Sequence, residues 1–198
     1  MQRCFRAILF AGLVLYLSCQ GKEQKNIPGE ISIKKPVEFF PVTDFILGQL
    51  GEIDNLPITP LKINIDGEKK DSAWMKREDI RRVAFPFLSP VIDSLSMVKY
   101  FNGKSFLDQS INAFTFSYDA KAKLPDSIKL IHWDVYIDPH KNNVQRIYMV
   151  KEDSLNSNLI TTQLTWKANQ WLSIRTIVQS AGKAPLIKEN IVKWDFNE

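Results

Sequence analysis

The side chains best suited to chemistry lie in one short segment, Leu130–Ile137, which reads Leu-Ile-His-Trp-Asp-Val-Tyr-Ile. Side chains of an extended strand alternate between two faces, so His132, Asp134 and Tyr136 are predicted to share one face. A histidine beside a carboxylate can act as a base with its orienting acid, or contribute to a metal site. The same residue types also occur on the solvated face of an ordinary antiparallel strand.

The segment Val144–Lys151 is predicted to return beside this strand and to add Arg146 and Tyr148 to the same face. His140 falls in the intervening turn, where we expect solvent exposure. Aromatic rings beside polar groups suit a glycan, a peptide or another polar ligand. The candidate ligand-binding residues are therefore His132, Asp134, Tyr136, Arg146 and Tyr148. The strand residues that point to the opposite face are mostly apolar and suit packing under helices. They are Trp133, Ile147, Met149, Ile160, Leu164 and Trp166.

Sequence motifs of the common catalytic classes are absent. The chain has no Gly-x-Ser-x-Gly, no P-loop, no Gly-x-Gly-x-x-Gly and no His-Glu-x-x-His or Cys-x-x-Cys motif. Its carboxylates lack calcium-loop spacing. We therefore expect no cofactor and no resident metal, and we favour a non-enzymatic protein. A hydrolase or metal site using His132 and Asp134 stays open as an alternative.

Helical patterns precede the strand patterns along the chain. Val37–Leu50 is predicted to be the first helix, and Arg77–Val98 carries apolar residues at the i, i+3, i+4 spacing of a second. Pro86 and Pro90 are expected to kink or divide this second helix, because an interior proline removes a backbone hydrogen bond. A short hairpin around Asp66-Gly67 precedes it, and Trp74 is expected to be a core or helix-flanking anchor.

Strand patterns dominate after residue 103, and short polar turns separate them. Consecutive strands with such turns indicate an antiparallel meander. The sequence thus predicts an α+β fold with N-terminal helices packed on one face of a curved sheet of about five to seven strands. The predicted strands after residue 103 are Ile111–Tyr118, Leu130–Ile137, Val144–Lys151, Leu159–Trp166, Trp171–Gln179 and Leu186–Phe196.

The N-terminus has the layout of a secretory signal. Arg3 and Arg6 precede an apolar run, Ala7–Leu17, which is about half the roughly 20 residues needed to span a bilayer. Leu-Tyr-Leu-Ser-Cys, at Leu15–Cys19, resembles the lipobox of bacterial lipoproteins. The resemblance implies cleavage before Cys19, whose thiol would carry a diacylglycerol, with palmitate as an expected acyl group. An ordinary secretion signal and an uncleaved anchor are the alternatives.

This resemblance divides the chain into a signal peptide at 1–18, a lipidated cysteine with a flexible tether at 19–36, and a single α+β domain at 37–198. The Lys-, Asn- and Ile-rich domain behind a short tether is similar to small uncharacterised lipoproteins of Bacteroidota. The resemblance implies a bacterial envelope location, with the outer membrane as the expected attachment and the domain in the periplasm or at the cell surface.

Partner classes follow from charge and anchoring. The 26 basic and 22 acidic side chains are mixed along the chain without a long basic stripe, so nucleic-acid binding is not expected. We expect a membrane-anchored binding or assembly module, whose partner is an envelope protein, a glycan or a lipid. The alternative is a lipid- or lipoprotein-handling half-barrel, similar in plan to the lipoprotein carriers of the bacterial envelope, with an apolar and partly empty concave face.

Overall fold

The computed structural model describes residues 39–93, 97–122 and 124–196. The predicted signal segment, the lipidation site Cys19 and the tether at 19–36 lie outside these residues. Nine strands form one antiparallel sheet and make up about half of the described chain. They are β1 (Leu61–Asp66), β2 (Lys69–Trp74), β3 (Phe101–Asp108), β4 (Ala113–Ala120), β5 (Leu130–Ile137), β6 (Val144–Leu155), β7 (Asn158–Lys167), β8 (Trp171–Gln179) and β9 (Leu186–Lys193).

The strand order across the sheet is β2-β1-β9-β8-β7-β6-β5-β4-β3. Strands β3 to β9 therefore form a continuous meander, and the β1–β2 hairpin joins it through antiparallel pairing of β1 with β9. The predicted α+β fold with helices on a sheet of five to seven strands is wrong, because the fold is mostly β. Both the N-terminal hairpin and β3 belong to the same sheet, and the helices are short.

Two α-helices occur in the described chain, α1 (Val42–Asp54) and α2 (Ile80–Ala84). The helical pattern predicted over 77–98 forms only in its first part, and the interruption expected at Pro86 is observed. Helix α2 passes directly into a 3₁₀ turn at Phe85–Phe87 that contains Pro86, and residues 88–93 are not helical. Two prolines four positions apart remove backbone donors that a continuing helix would need. The Lys151 ammonium donates to the carbonyl oxygens of Pro86 and Ser89, which ties this loop to β6.

The hydrophobic core lies between these helices and one face of the sheet. At its centre Tyr118 stacks on Trp133, with ring centroids 4.6 Å apart and planes 16° apart. Phe39 and Phe101 meet the edge of the same indole at 5.6 and 4.5 Å. Five of the six residues predicted to point toward the helices are fully buried, which confirms their placement: Trp133, Ile147, Met149, Leu164 and Trp166. The sixth, Ile160, is only half-buried.

Trp74 was expected to be a core or helix-flanking anchor, and the core placement is wrong. Its side chain is 65 % exposed at the end of β2, all of whose residues are exposed. Trp74 is exposed because β2 is the edge strand of the sheet and has only β1 beside it. The ring meets only the edge of another exposed ring, Phe196, at a centroid distance of 6.1 Å.

Trp166 and Trp74 provide a matched test of this core. Replacing the fully buried Trp166 by alanine removes a large side chain and leaves a cavity, so we expect a loss of about 3–5 kcal/mol in the free energy of unfolding. Replacing Trp74 by alanine should cost about 1 kcal/mol or less. Urea unfolding of both variants measures the difference, and equal losses would contradict the assignment of the core face.

Candidate functional site

The five candidate residues lie together on the sheet face opposite the helices. Trp133 is buried on the helix side of β5, so its neighbours His132, Asp134 and Tyr136 point to the other side. In the pairing of β5 with β6, Asp134 lies opposite Tyr148, and Tyr136 lies opposite Arg146. The register of the two strands shifts just before His132 and just after Tyr136, so irregular pairing flanks the cluster on both sides.

His132 bridges two carboxylates. Its Nδ1 lies 2.7 Å from Asp119 Oδ1, and its Nε2 lies 3.0 Å from Asp134 Oδ2. A neutral imidazole can donate through only one nitrogen, so this geometry favours the imidazolium, which donates through both. The bond to Asp134 raises the pKa of His132, burial opposes the rise, and the bond to Asp119 adds to it.

Asp134 is the acceptor at the centre of the cluster. Its side chain is 14 % exposed and receives hydrogen bonds from His132, from the Tyr136 hydroxyl at 2.9 Å and from Ser117. Burial by itself raises the pKa of Asp134, but the bonds from His132 and Ser117 outweigh burial and hold the pKa below its usual value. Asp134 is therefore an anion whose Oδ2 already accepts from two neighbours.

The two tyrosines and Arg146 form the open part of the cluster. The guanidinium carbon of Arg146 lies 4.2 Å from the ring centroid of Tyr136, a cation–π contact. Burial raises the pKa of Tyr136 to about 12, and the negative charge of Asp134 adds to the rise. The pKa of Tyr148 is raised by the same two causes, and its ring lies 6.4 Å from that of His132. Both hydroxyls therefore stay protonated at neutral pH.

Chemically, this arrangement is suited to holding charge and hydrogen-bonding groups in place. A general base or a metal ligand needs a free imidazole lone pair, and both nitrogens of His132 face carboxylates. Within the described residues, no group of three or more His, Cys, Asp or Glu side chains has a geometry that could hold a metal ion. His140 lies apart in the exposed β5–β6 turn.

Three polar residues of the cluster were not predicted from sequence. Asp119 is the cross-strand partner of His132, Ser117 is the partner of Asp134, and Lys104 on β3 pairs with Asp119 at 3.3 Å. Burial raises the pKa of Asp119, but hydrogen bonds from His132 and Lys104 bring the net shift below the usual value. The alternation of β4 could have placed Ser117 and Asp119 on one face, but only the pairing register brings them to His132.

An apolar cavity of about 480 Å³ lies on the other side of the sheet, beside the start of α1. The segment before α1 forms one wall, and the ends of β4 and β5 form the other. Its lining consists of Phe39, Phe40, Pro41, Phe114, Phe116, Ile137, Pro139 and Asn142. No part of this cavity was predicted from the sequence.

Comparison with protein families, with curated proteins and with solved structures returned no match for this chain. In the described ranges, no helix has both the length and the apolar character required to cross a membrane.

The pH dependence of stability tests the His132 bridge. Because its folded pKa is raised, His132 stabilises the protein fully below its unfolded value of about 6.5, and this contribution is lost as pH rises through the folded pKa. Asp119 and Asp134 have lowered pKa values, so their contribution is present above about pH 4 and is lost as pH falls through their folded pKa values.

We therefore expect His132→Gln to lower the free energy of unfolding most between about pH 4.5 and 6.5, with a smaller difference at about pH 9. Urea unfolding across this pH range measures the difference. His140→Gln, in the exposed turn, is the control and should follow the unmodified protein at each pH. A difference for His132→Gln that does not change with pH would mean that the imidazole is not charged in the bridge.

Proposed function

We propose that the protein is an envelope lipoprotein, anchored through Cys19, whose polar sheet face binds a glycan. The observation that carries the proposal is the convergence of His132, Asp134, Tyr136, Arg146 and Tyr148 in one half-buried network. Each side chain is oriented by a neighbour before any ligand arrives. Such pre-ordering lowers the entropy cost of binding.

The residue types of the face fit a sugar. Tyrosine rings offer flat apolar area with a polar tip, which suits the apolar side of a pyranose ring and its hydroxyl rim. Arg146 supplies several N–H donors, and the carboxylate of Asp134 supplies acceptors. The partial burial of these groups places them at the surface of the sheet rather than in a deep cleft. An extended ligand lying on the face fits this shape better than a small molecule enclosed by the protein.

The face continues beyond the cluster as a cross-strand row. Arg146 pairs with Lys167, Lys167 with Trp171, and Trp171 with Lys193, so cations and aromatic rings lie side by side across β6 to β9. All four side chains are half-buried. Neighbouring strands are about 4.8 Å apart, so the row from Tyr136 to Lys193 spans about 19 Å. Three cations in this row favour a glycan that carries acidic groups, because charge-assisted bonds to carboxylates are strong.

The alternatives receive less support. A hydrolase using His132 and Asp134 would need an imidazole nitrogen free to accept a proton, whereas both nitrogens lie beside carboxylates. A half-barrel carrier would need room between the helices and the sheet. Large side chains fill the centre of that space, among them Trp133, Trp166 and Met149, each fully buried, so the apolar cavity beside the start of α1 is a local pocket rather than an open concave face.

Anchoring through Cys19 is tested by the fate of the N-terminus. We expect the mature protein to begin at Cys19 with a mass increase equal to a diacylglycerol and an attached acyl chain, since dual acylation gives stable membrane attachment. Mass spectrometry of the membrane fraction measures this. Cys19→Ser should abolish both the lipid mass and cleavage before position 19, whereas Cys4→Ser should leave the lipidated N-terminus unchanged. An unmodified N-terminus at another residue would contradict the anchor.

Ligand binding is tested on a glycan array that includes neutral and uronic-acid-containing oligosaccharides. We expect binding to an acidic glycan and a loss of about tenfold or more in affinity when Tyr136, Arg146 and Tyr148 are all replaced by alanine. The control replaces three exposed residues that do not lie on the polar face, Lys69, Lys183 and Leu186, by alanine and should retain the affinity within about twofold. Equal affinity of both triple variants for a bound glycan, or no binding at all, would refute this site.

A further inference from the structure

The apolar cavity beside α1 differs from the polar face in every chemical respect. Four phenylalanines, two prolines and Ile137 line it, and the single polar residue is Asn142. No lining residue is ionisable. Its volume of about 480 Å³ falls in the range of pockets that hold small ligands, about 300–1,000 Å³.

Comparison with a second cavity shows how selective this lining is. A cavity of about 600 Å³ at the other end of α1 is also partly apolar, but Glu52 and Asp195 contribute to its wall. An ionised group is expensive to bury without a partner, so a wall with no charge and a single polar residue, Asn142, favours an uncharged, apolar occupant. The phenylalanine cavity therefore fits hydrocarbon, and the other cavity does not meet this condition.

The walls of the cavity are held in place from behind. Phe39 packs on the core rings of Tyr118 and Trp133, at centroid distances of 5.2 and 5.6 Å. The Phe40 backbone N–H donates to the Tyr118 hydroxyl at 3.1 Å. On the opposite wall, Phe114 and Phe116 meet edge to face at 5.1 Å. Since both walls rest on the packed core, the cavity does not close by a simple rotation of its lining.

We propose that this cavity binds the hydrocarbon chain of a membrane lipid, with the polar end of the lipid left in solvent. The position of the cavity in the chain supports a lipid source, because Phe39 follows Cys19 by 20 positions. A chain of that length can reach at most about 70 Å, so a domain anchored at Cys19 stays within that distance of the bilayer. The supply of lipid rests on the proposed anchor, whereas the binding itself does not depend on the polar face.

The test uses the full chain carrying Cys19→Ser, so that no acyl group of its own can enter the cavity, after extraction of bound lipid. The probe is cis-parinaric acid, a fluorescent fatty acid. Its fluorescence on excitation of tryptophan measures binding near Trp133. We expect saturable uptake of one probe per chain with a Kd of about 1–10 μM. Absence of saturable uptake would overturn the proposal.

Two phenylalanines give the matched variants. Phe114→Asp places a carboxylate in the cavity wall and should weaken uptake at least about tenfold. Phe85→Asp, at a 65 % exposed position outside the cavity, should change it by less than about twofold. Circular dichroism checks folding, and Pro139→Asp at the exposed rim decides the matter if Phe114→Asp does not fold. Equal effects of cavity and control variants would overturn the site.

Two further arms separate this proposal from its rivals. The triple variant Tyr136→Ala, Arg146→Ala, Tyr148→Ala should keep full uptake, so a failure of the polar face leaves this result unaffected. Replacing Ile27, Ile31 and Ile33 by serine removes the isoleucines of the segment 19–36. Unchanged affinity is expected. A gain of about tenfold would identify that segment as the native occupant and overturn the assignment to lipid.

Discussion

The stacking of Tyr118 on Trp133 is the contact on which both faces of the sheet depend. These residues are direct cross-strand partners, so their stacking fixes the register of β4 against β5. A slip of one residue would exchange the two faces of β4 and would separate Asp119 from His132. The same rings also support Phe39, which forms part of the cavity wall. One aromatic pair thus positions a polar cluster on one face and an apolar cavity on the other.

The elements with strong alternation could be predicted from the sequence, and those without it could not. The bounds of β5 and β8 agree with the sequence patterns because their apolar residues alternate and their turns are polar. Strand β3 has no such alternation, since its first half is mostly exposed. Pairing of β1 with β9 joins residues more than 120 positions apart, and no local pattern contains that information. The prolines predicted the interruption at Pro86, but the apolar periodicity overestimated how much of residues 88–98 would be helical.

The site shows the same division. Spacing by two placed His132, Asp134 and Tyr136 on one face, and the β5–β6 hairpin added Arg146 and Tyr148. Asp119 contributes the second carboxylate that His132 bridges. The position of Asp119 depends on the register of β4 against β5, which the local sequence pattern does not encode. The cavity was missed for a related reason. Its lining comes from three separate segments, and each segment taken alone has the apolar pattern of ordinary core residues.

The pairing of β9 between β8 and β1 has a consequence for the order in which the chain can fold. The last strand occupies an interior position, and the first hairpin of the domain has no other neighbour in the sheet. The sheet is therefore incomplete until residues 186–193 are free to pair, and such distant contacts form slowly. For a chain proposed to cross a membrane before it folds, the β1–β2 hairpin therefore gains its neighbour in the sheet only after residues 186–193 have been delivered.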